Sequence, residues 1–286
     1  MDFLRPASLA EALELKAANP DAVPIAGGTD VMVELNFDKR RPAALLDLGR
    51  VPELATWRAE NGRVRLGATV PYTRIVDELG DVLPGLAMAA RTVGSPQIRN
   101  RAGVGGNLGS ASPAGDAHPP LLATGADVEV ASTRGTRTVP IGEFFLGPKR
   151  SALAADELVT AVLVPVAAGP QQFAKVGTRN AMVIAVCSFG LALDTTRRTV
   201  GTGIGSAGPV PLRAAAAEDF AAEVLPWDEP AANTLTDDTA KEFGELVAAA
   251  ARPIDDVRGS AAYRRHALAV LARRTLRWAW QDVSGR

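Results

Sequence analysis

The apolar positions change period several times along the chain, and each change predicts a change of element. In "SLAEALELKAANP" (8–20), leucines and alanines recur at helical spacing behind Ser8, with Glu11 three residues on. That capping-box start predicts a helix, which Asn19-Pro20 ends. "AVPIAGGTDVMVEL" predicts a short apolar strand broken by Gly27-Gly28 and resuming as a strand or a helix. "AALLDLGRV" and "GRVRLGATV" are strand candidates, the second alternating at Val64, Leu66 and Ala68. Thr73 is expected to cap "RIVDEL", and Pro84 to open a helix over "GLAMAARTVG". "ADVEVAS" and "GTRTVPI" predict a hairpin around Arg134-Gly135, and "ELVTAVLVPV" a strand ending at Pro165.

"AAGPQQ" (167–172) is the best candidate for a linker. Beyond it, "QQFAKVGT", "MVIAVCSFGLALD" and "VGTGIGSA" predict an antiparallel meander turning at "TTRRT". Three helices are expected to follow, over "PLRAAAAEDFAAEVL", "DDTAKEFGELVAAAA" and "SAAYRRHALAVLARRTLRWAW". The last places Leu268, Leu271, Thr275 and Trp278 on one face, with Arg265, Arg273 and Arg277 elsewhere. Its arginines suit a solvated face or a docking surface for another subunit. The reading is an α+β protein with an N-terminal part, 1–167, and a C-terminal part, 170–286.

Composition narrows the chemistry. Lys and Arg number 31 against 32 Asp and Glu, so nothing points to nucleic acid or an anionic membrane as partner. "MDFLRPASLAEALEL" lacks a basic start and an apolar run, which predicts a cytoplasmic protein. No stretch reaches the roughly 18 apolar residues of a spanning helix. Cys187 is the single cysteine, which excludes a disulfide and any iron–sulfur cluster built by this chain. It sits in an apolar strand-like run and is read as a buried, inert thiol. With only His118 and His266, the imidazoles are too few for a histidine-rich zinc site or an evident Ser-His-Asp triad. No catalytic residue and no metal ligand is assigned. Redox chemistry here would have to be carried by a cofactor.

Glycine supplies the remaining signal. "NRAGVGGNLGSASPAGDAHPPLL" (100–122) holds five glycines and three prolines, and its poverty in packing material predicts a loop. "GIGSAG", with Gly203, Gly205 and Gly208, matches the dinucleotide pattern by letter. Pro209 and Pro211 forbid the helix that pattern must open, so it reads as a strand leaving its sheet. "AGGTD" (26–30) and "GVGGN" (103–107) differ, each setting paired glycines beside polar side chains. Such pairs can turn successive N–H groups into an anion-binding concavity and admit a pyrophosphate without a Cβ in the way. Thr29, Asp30 and Asn107 could add bonds to phosphate or ribose. Either segment alone suits a tight turn; the two together point to a bound dinucleotide.

"PIAGGTDVMVEL", "RLGATVPYTRI", "PQIRNRAGVGGNLGSASPAGDAHPPLLA", "VPIGEFFLGP", "DELVTAVLVP" and "RGSAAYRRHALAVLARRTL" carry a resemblance that spans most of the chain. The chain resembles the FAD-binding medium subunit of the molybdenum hydroxylases, the xanthine dehydrogenase family. The resemblance implies a flavin fold of the vanillyl-alcohol-oxidase and p-cresol-methylhydroxylase type: two α+β subdomains, then a C-terminal domain with a small antiparallel sheet and helices. It places Pro24, Ile25, Ala26, Gly27, Gly28, Thr29, Asp30 and Val31 in the first FAD loop, around the pyrophosphate. Gly103, Val104, Gly105, Gly106 and Asn107 match the second, with Gly103 where the family usually carries Thr or Ser. Asp116 matches an acidic position near the ribose, Lys175 a lysine facing the flavin in some relatives, and Val159 a backbone contact to it. Bland readings stand beside these: Asp116 equally suits a turn cap, Lys175 an exposed strand position, and Arg99 with Arg101 a structural pair. His118 is assigned no chemistry.

The resemblance also implies partners. Electrons would pass from a molybdopterin-bound molybdenum on a large subunit, through two 2Fe–2S clusters on a small subunit, to FAD here and on to NAD+ or another acceptor. A dimer of heterotrimers is implied, with no substrate oxidation by this chain alone. "AGGTDVMVEL" followed by "RRPAALLDL" looks closer to purine-oxidising members, hence to xanthine dehydrogenase and purine catabolism. Medium subunits of carbon-monoxide, aldehyde or N-heterocycle dehydrogenases are the alternative. A stand-alone FAD-binding protein is the alternative of another class.

Overall fold

The capping box at Ser8 forms: Ser8 Oγ accepts from the Glu11 N–H at 3.2 Å, and the Glu11 carboxylate accepts from the Ala7 N–H at 2.7 Å. It starts a helix that packs beside three short parallel strands. The computed structural model describes residues 1–228 and 235–285. In chain order these first elements are β1 (Asp2–Leu4), α1 (Leu9–Ala18), β2 (Val23–Ile25), α2 (Val31–Asn36) and β3 (Ala44–Asp47). The sheet order is β1-β3-β2. The segment left open between strand and helix after Gly28 is thus a helix. β1 escapes the sequence pattern because it is three residues long and buries almost nothing.

An antiparallel five-stranded sheet follows. β4 (Trp57–Glu60) and β5 (Arg63–Gly67) precede the helices α3 (Tyr72–Glu78), α4 (Pro84–Thr92), α5 (Pro96–Arg99), α6 (Val104–Ser110) and α7 (His118–Ala123). Then come β6 (Asp127–Ser132), β7 (Gly135–Pro140), α8 (Ile141–Phe144), the small hairpin β8 (Phe145–Gly147) and β9 (Arg150–Ser151), and β10 (Leu158–Pro165). Sheet order is β4-β5-β10-β6-β7, and the expected hairpin is β6–β7. Val64, Leu66, Val128, Val130, Val162 and Val164 form the strand side of its core.

Two expectations are corrected here. α3 begins at Tyr72 behind Pro71, so Thr73 lies inside the helix, and its hydroxyl donates to Asn100 Oδ1 at 2.6 Å instead of capping. The glycine-rich stretch expected as a loop contains α6 and α7. Tertiary packing overrides the weak propensity: Val104 and Leu108 bury one face of α6, and Pro119-Pro120 occupy the first turn of α7, where a missing N–H costs nothing.

The C-terminal meander forms as β11 (Gln171–Val176), β12 (Cys187–Asp194) and β13 (Thr199–Gly205). β12 starts at Cys187 rather than Met182, because Met182 adopts φ 51°, which ends an extended run. α9 (Ala215–Val224), α10 (Asp237–Ala250) and α11 (Ala261–Ser284) cover it, around Phe189, Phe243, Leu268, Leu276 and Trp280. Trp278 is 44% exposed and does not share the buried face of Leu268, Leu271 and Thr275. Near the end of the helix the buried positions are Leu276, Ala279 and Trp280 instead. Arg277 is tied down by Asp237 of α10.

The two parts meet where α7 lies on β12 and β13, and glycines make the meeting possible. A Cβ on Gly203 would lie 2.1 Å from the Pro119 carbonyl oxygen, and one on Gly201 would lie 2.0 Å from that of Ala123. One on Gly190 would be 2.7 Å from the Pro119 carbonyl carbon. The dinucleotide-like "GIGSAG" is therefore the end of a strand whose missing side chains admit a helix backbone. Gly85 N–H donates to the buried Gln171 Oε1 at 3.1 Å, and Ser206 N–H to the Pro113 carbonyl at 2.9 Å, pinning the same joint. Gly203→Ala should lower unfolding stability by about 1–3 kcal/mol, the usual cost of overpacking. Gly147→Ala, with open space at its Cβ, should stay within about 0.5 kcal/mol. Chemical denaturation of the two variants checks the difference.

Candidate functional site

β2 ends at Ile25 and delivers the chain into the first glycine turn, where Gly28 takes φ 75° and its carbonyl accepts from the Met32 N–H, starting α2. Gly27 lies directly on the backbone just before the second segment: a Cβ there would sit 2.0 Å from the Arg101 carbonyl oxygen. Further along, Ser110 Oγ donates to the Asp30 carboxylate. The residues flanking 103–107, Arg101 before it and Ser110 after it, thus hold it beside 24–31, and the two stretches, far apart in the chain, form one seam. Within 24–31, Ile25 is buried, Pro24 and Asp30 are exposed, and Ala26, Gly27, Gly28, Thr29 and Val31 are half-buried.

α6 has a packed side and an open side. Gly103 and Gly105 press on the chain leaving β5, with built Cβ atoms 2.7 Å from the Val70 carbonyl oxygen and 2.5 Å from Ala68 Cβ. The Gly105 N–H donates to the Ala68 carbonyl at 3.0 Å, and Val104 is fully buried. Gly106 and Gly109 are different: no protein atom comes within 4 Å of a Cβ built on either. Asn107 N–H closes on the Gly103 carbonyl, while its Oδ1 is buried without a hydrogen-bond partner. Val159 is buried in β10, next to Thr160, whose carbonyl accepts from the Ala68 N–H beneath α6.

Asp116 and Lys175 form a second cluster, at the joint between the two parts. Lys175 Nζ donates to Asp116 Oδ2 at 2.7 Å, to the Thr92 carbonyl at 2.9 Å and to the Val183 carbonyl at 3.2 Å. Both side chains are about nine-tenths buried. Lys175 is therefore not an exposed strand lysine, and Asp116 caps nothing. Burial pushes the Asp116 carboxyl above its ordinary range, against the pull of the Lys175 ammonium. Asp116 Oδ1 and the hydroxyl of fully buried Tyr72 lack partners. Arg99 donates to the carbonyls of Val93 and Gly94, a structural role. On β12, burial pushes the Cys187 thiol up to about 12 and keeps it protonated.

His118 connects the two clusters and was missed by sequence reasoning. Its ring is fully buried, stacks on Phe145 at 4.5 Å, and sets Nε2 3.3 Å from the Asn107 carbonyl. Burial lowers its pKa to about 4, outweighing the neighbouring backbone carbonyls. The one available signal was Gly115, whose Cα lies against this ring.

These features fit a dinucleotide cofactor. Open glycine backbone admits a diphosphate, and Asn107, beside Gly106, keeps an unpaired oxygen, as Asp116 does in the second cluster. Residues 1–167 match the family described as the FAD binding domain in molybdopterin dehydrogenase, and residues 172–279 the CO dehydrogenase flavoprotein C-terminal domain. These matches define an FAD-binding subunit of an oxidoreductase. The chain belongs to the FAD-binding medium subunits of the molybdenum hydroxylases. Nicotine 6-hydroxylase medium subunit of Paenarthrobacter nicotinovorans is 33% identical, over 96% of this chain and 95% of its own length. The xanthine dehydrogenase FAD-binding subunit of Escherichia coli is 31% identical, over 99% and 97%. A chain of the carbon monoxide dehydrogenase from Hydrogenophaga pseudoflava superposes with a TM-score of 0.89 at 27% identity, covering 99% of this chain and 98% of that one. A chain of quinoline 2-oxidoreductase from Pseudomonas putida 86 gives 0.89 at 25%, with the same coverage. No helix among the described residues is long and apolar enough to cross a membrane.

The depressed His118 pKa carries a sign. The unfolded imidazole takes up its proton near pH 6.5, the folded one only near pH 4. Stability from this group is complete above pH 6.5 and is lost as the pH falls to about 4, by on the order of 3 kcal/mol. Between those limits, His118→Phe should flatten the pH dependence of unfolding by that amount, as denaturant titrations would measure.

Proposed function

We propose that the seam between residues 24–31 and 103–107 holds the pyrophosphate of FAD and that the chain relays electrons within a molybdenum hydroxylase. One observation carries the site. Glycine inside a helix costs about 1 kcal/mol relative to alanine. Within α6, Gly105 has a packing reason for it, but Gly106 and Gly109 have neither a close neighbour outside their own helix turn nor a positive φ. Their bare outer face is left for something outside the chain.

In this reading Pro24 to Val31 and Gly103 to Asn107 supply backbone, Asp116 stands toward the ribose, and Val159 and Lys175 stand toward the ring system. The fold would be of the vanillyl-alcohol-oxidase and p-cresol-methylhydroxylase type, with domains at 1–167 and 170–286. Bound FAD accepts electrons singly and releases them in pairs. This chain's residues bind it, orient it and exclude water; none is asked to act as acid, base or nucleophile. The partners are a molybdopterin-binding large subunit and a small subunit with 2Fe–2S clusters, in a dimer of heterotrimers, and the acceptor is NAD+ or an equivalent.

For the assembly's substrate, xanthine is the first reading, from the turn sequence "AGGTDVMVEL". A different N-heterocycle is the second, favoured by the 33% identity to the nicotine 6-hydroxylase subunit. The seam offers no side chain able to choose between them, so the choice falls to the large subunit.

Two outcomes test this. Gly106→Ala should leave the apo-protein as stable or more stable, yet weaken FAD binding, and Gly106→Val should remove most of the flavin. Opposite signs in thermal unfolding and flavin titration are the signature, and a Gly106→Val protein with full flavin content would sink the site. The isolated FAD-loaded chain should pass electrons from NADH to an artificial acceptor but form no urate from xanthine. Co-expression with the two partner subunits should bring hydroxylation of xanthine or nicotine. Steady urate formation by the lone chain would overturn the relay.

A further inference from the structure

His118 is held more tightly than packing alone requires. Phe145 covers one side of its ring at 4.5 Å, and Phe144 backs Phe145 edge-on at 5.4 Å. On another side a Cβ at Gly115 would come within 2.3 Å of His118 Cε1. The imidazole therefore has one place to be. From there Nε2 meets the Asn107 carbonyl at 3.3 Å, a contact that requires the tautomer with the proton on Nε2. Nδ1 is then a buried acceptor without a partner. Burying such a group unsatisfied costs about 1–3 kcal/mol. A phenyl ring would fill the space beside Phe145 without that cost, so what histidine adds is its polar contact with backbone carbonyls, that of Asn107 at 3.3 Å and that of Ser112 beside it.

The contact reaches a functional segment. Asn107 is the last residue of the second glycine segment, its N–H is closed on Gly103, and its buried Oδ1 has no partner within the chain. We infer that His118 is a positioning residue: by fixing the Asn107 carbonyl, it sets the Asn107 side chain and the open turn at Gly106 in register with the flavin. This rests on the flavin site proposed above. His118 does not touch the cofactor; it acts through Asn107, from two residues beyond Asp116.

The experiment uses the full chain loaded with FAD, comparing His118→Phe, His118→Gln and Asn107→Ala with wild type. The readouts are FAD affinity and the visible circular dichroism of the bound flavin, with apo-protein unfolding measured separately. His118→Phe keeps the ring and should weaken FAD by about tenfold or more and alter the flavin dichroism. His118→Gln, whose amide can donate to the same carbonyl, should restore both to near wild type. Asn107→Ala should reproduce the His118→Phe effects, and it decides the matter should the phenylalanine variant not fold. Wild-type affinity and dichroism in His118→Phe, equal losses in the Gln and Phe variants, or an Asn107→Ala protein that binds FAD unchanged would each overturn the inference. Gly106→Val separates the two levels. If it keeps its flavin, the site itself is wrong; if it loses flavin while the His118 and Asn107 variants do not, only the positioning role falls.

Discussion

The approach of the α7 backbone to the C-terminal sheet is the contact on which the rest of the molecule depends. Pro119 and Ala123 lie against Gly190, Gly201 and Gly203 at distances no Cβ could tolerate. A helix normally stands off from a sheet by the depth of two side-chain layers. Here one of those layers is missing, and the N-terminal end of the helix is drawn down with it. Asp116, two residues before α7, consequently reaches Lys175 on β11, and the ammonium finds the Thr92 and Val183 carbonyls on either side. One ion pair thus ties α4, the approach to α7 and the segment before β12. Removing either partner would strand a buried charge, which commonly costs 3–5 kcal/mol.

Local polarity follows from the same closeness. Two groups are held away from titration near neutrality, His118 neutral by burial and Cys187 as thiol; the Asp116 carboxyl, pushed up by burial, is paired with Lys175. The open side of α6 presents bare backbone at Gly106 and Gly109. Such a surface suits a protein that holds a reactive group rather than reacting itself.

The fold was legible wherever one face of an element meets the core and the other meets water. β6 alternates at its start, Val128 and Val130 buried between half-buried Asp127 and Glu129, and the β11–β13 meander shows itself through runs broken at "TTRRT". It was illegible where the burial partner is backbone. α6 and α7 carry too few bulky residues to register a helical period, since their neighbours are glycines and carbonyls rather than side chains. The same cause made "GIGSAG" resemble a nucleotide motif: close approach to a helix and close approach to a phosphate impose one demand, the absence of Cβ. Sequence separated the two only through Pro209 and Pro211. The seam was legible as paired glycines at 26–30 and 103–107, which the resemblance to a family widened to begin at Pro24 and end at Val31, whereas Asp116–Lys175 as a mutual pair and His118 as a link needed coordinates, because no spacing relates them.

Glycines in this chain fall into two kinds, and their combination bears on how a cofactor can be held stiffly. One kind, at Gly27, Gly103, Gly105 and Gly203, brings backbone against backbone; the other, at Gly106 and Gly109, leaves backbone bare. A ligand gripped by side chains is blurred by the rotamers of each grip, and ordering each long side chain costs up to about 2 kcal/mol. A ligand resting on bare backbone meets no rotamers, but its position is only as fixed as the turn beneath it. Backbone-to-backbone contacts supply that fixity, because they too contain nothing that can rotate. In the proposed site, therefore, the first kind of glycine is the condition for the second. The buried imidazole of His118 meets the same stretch at the Asn107 carbonyl, and its ring is clamped by Phe145 and Gly115.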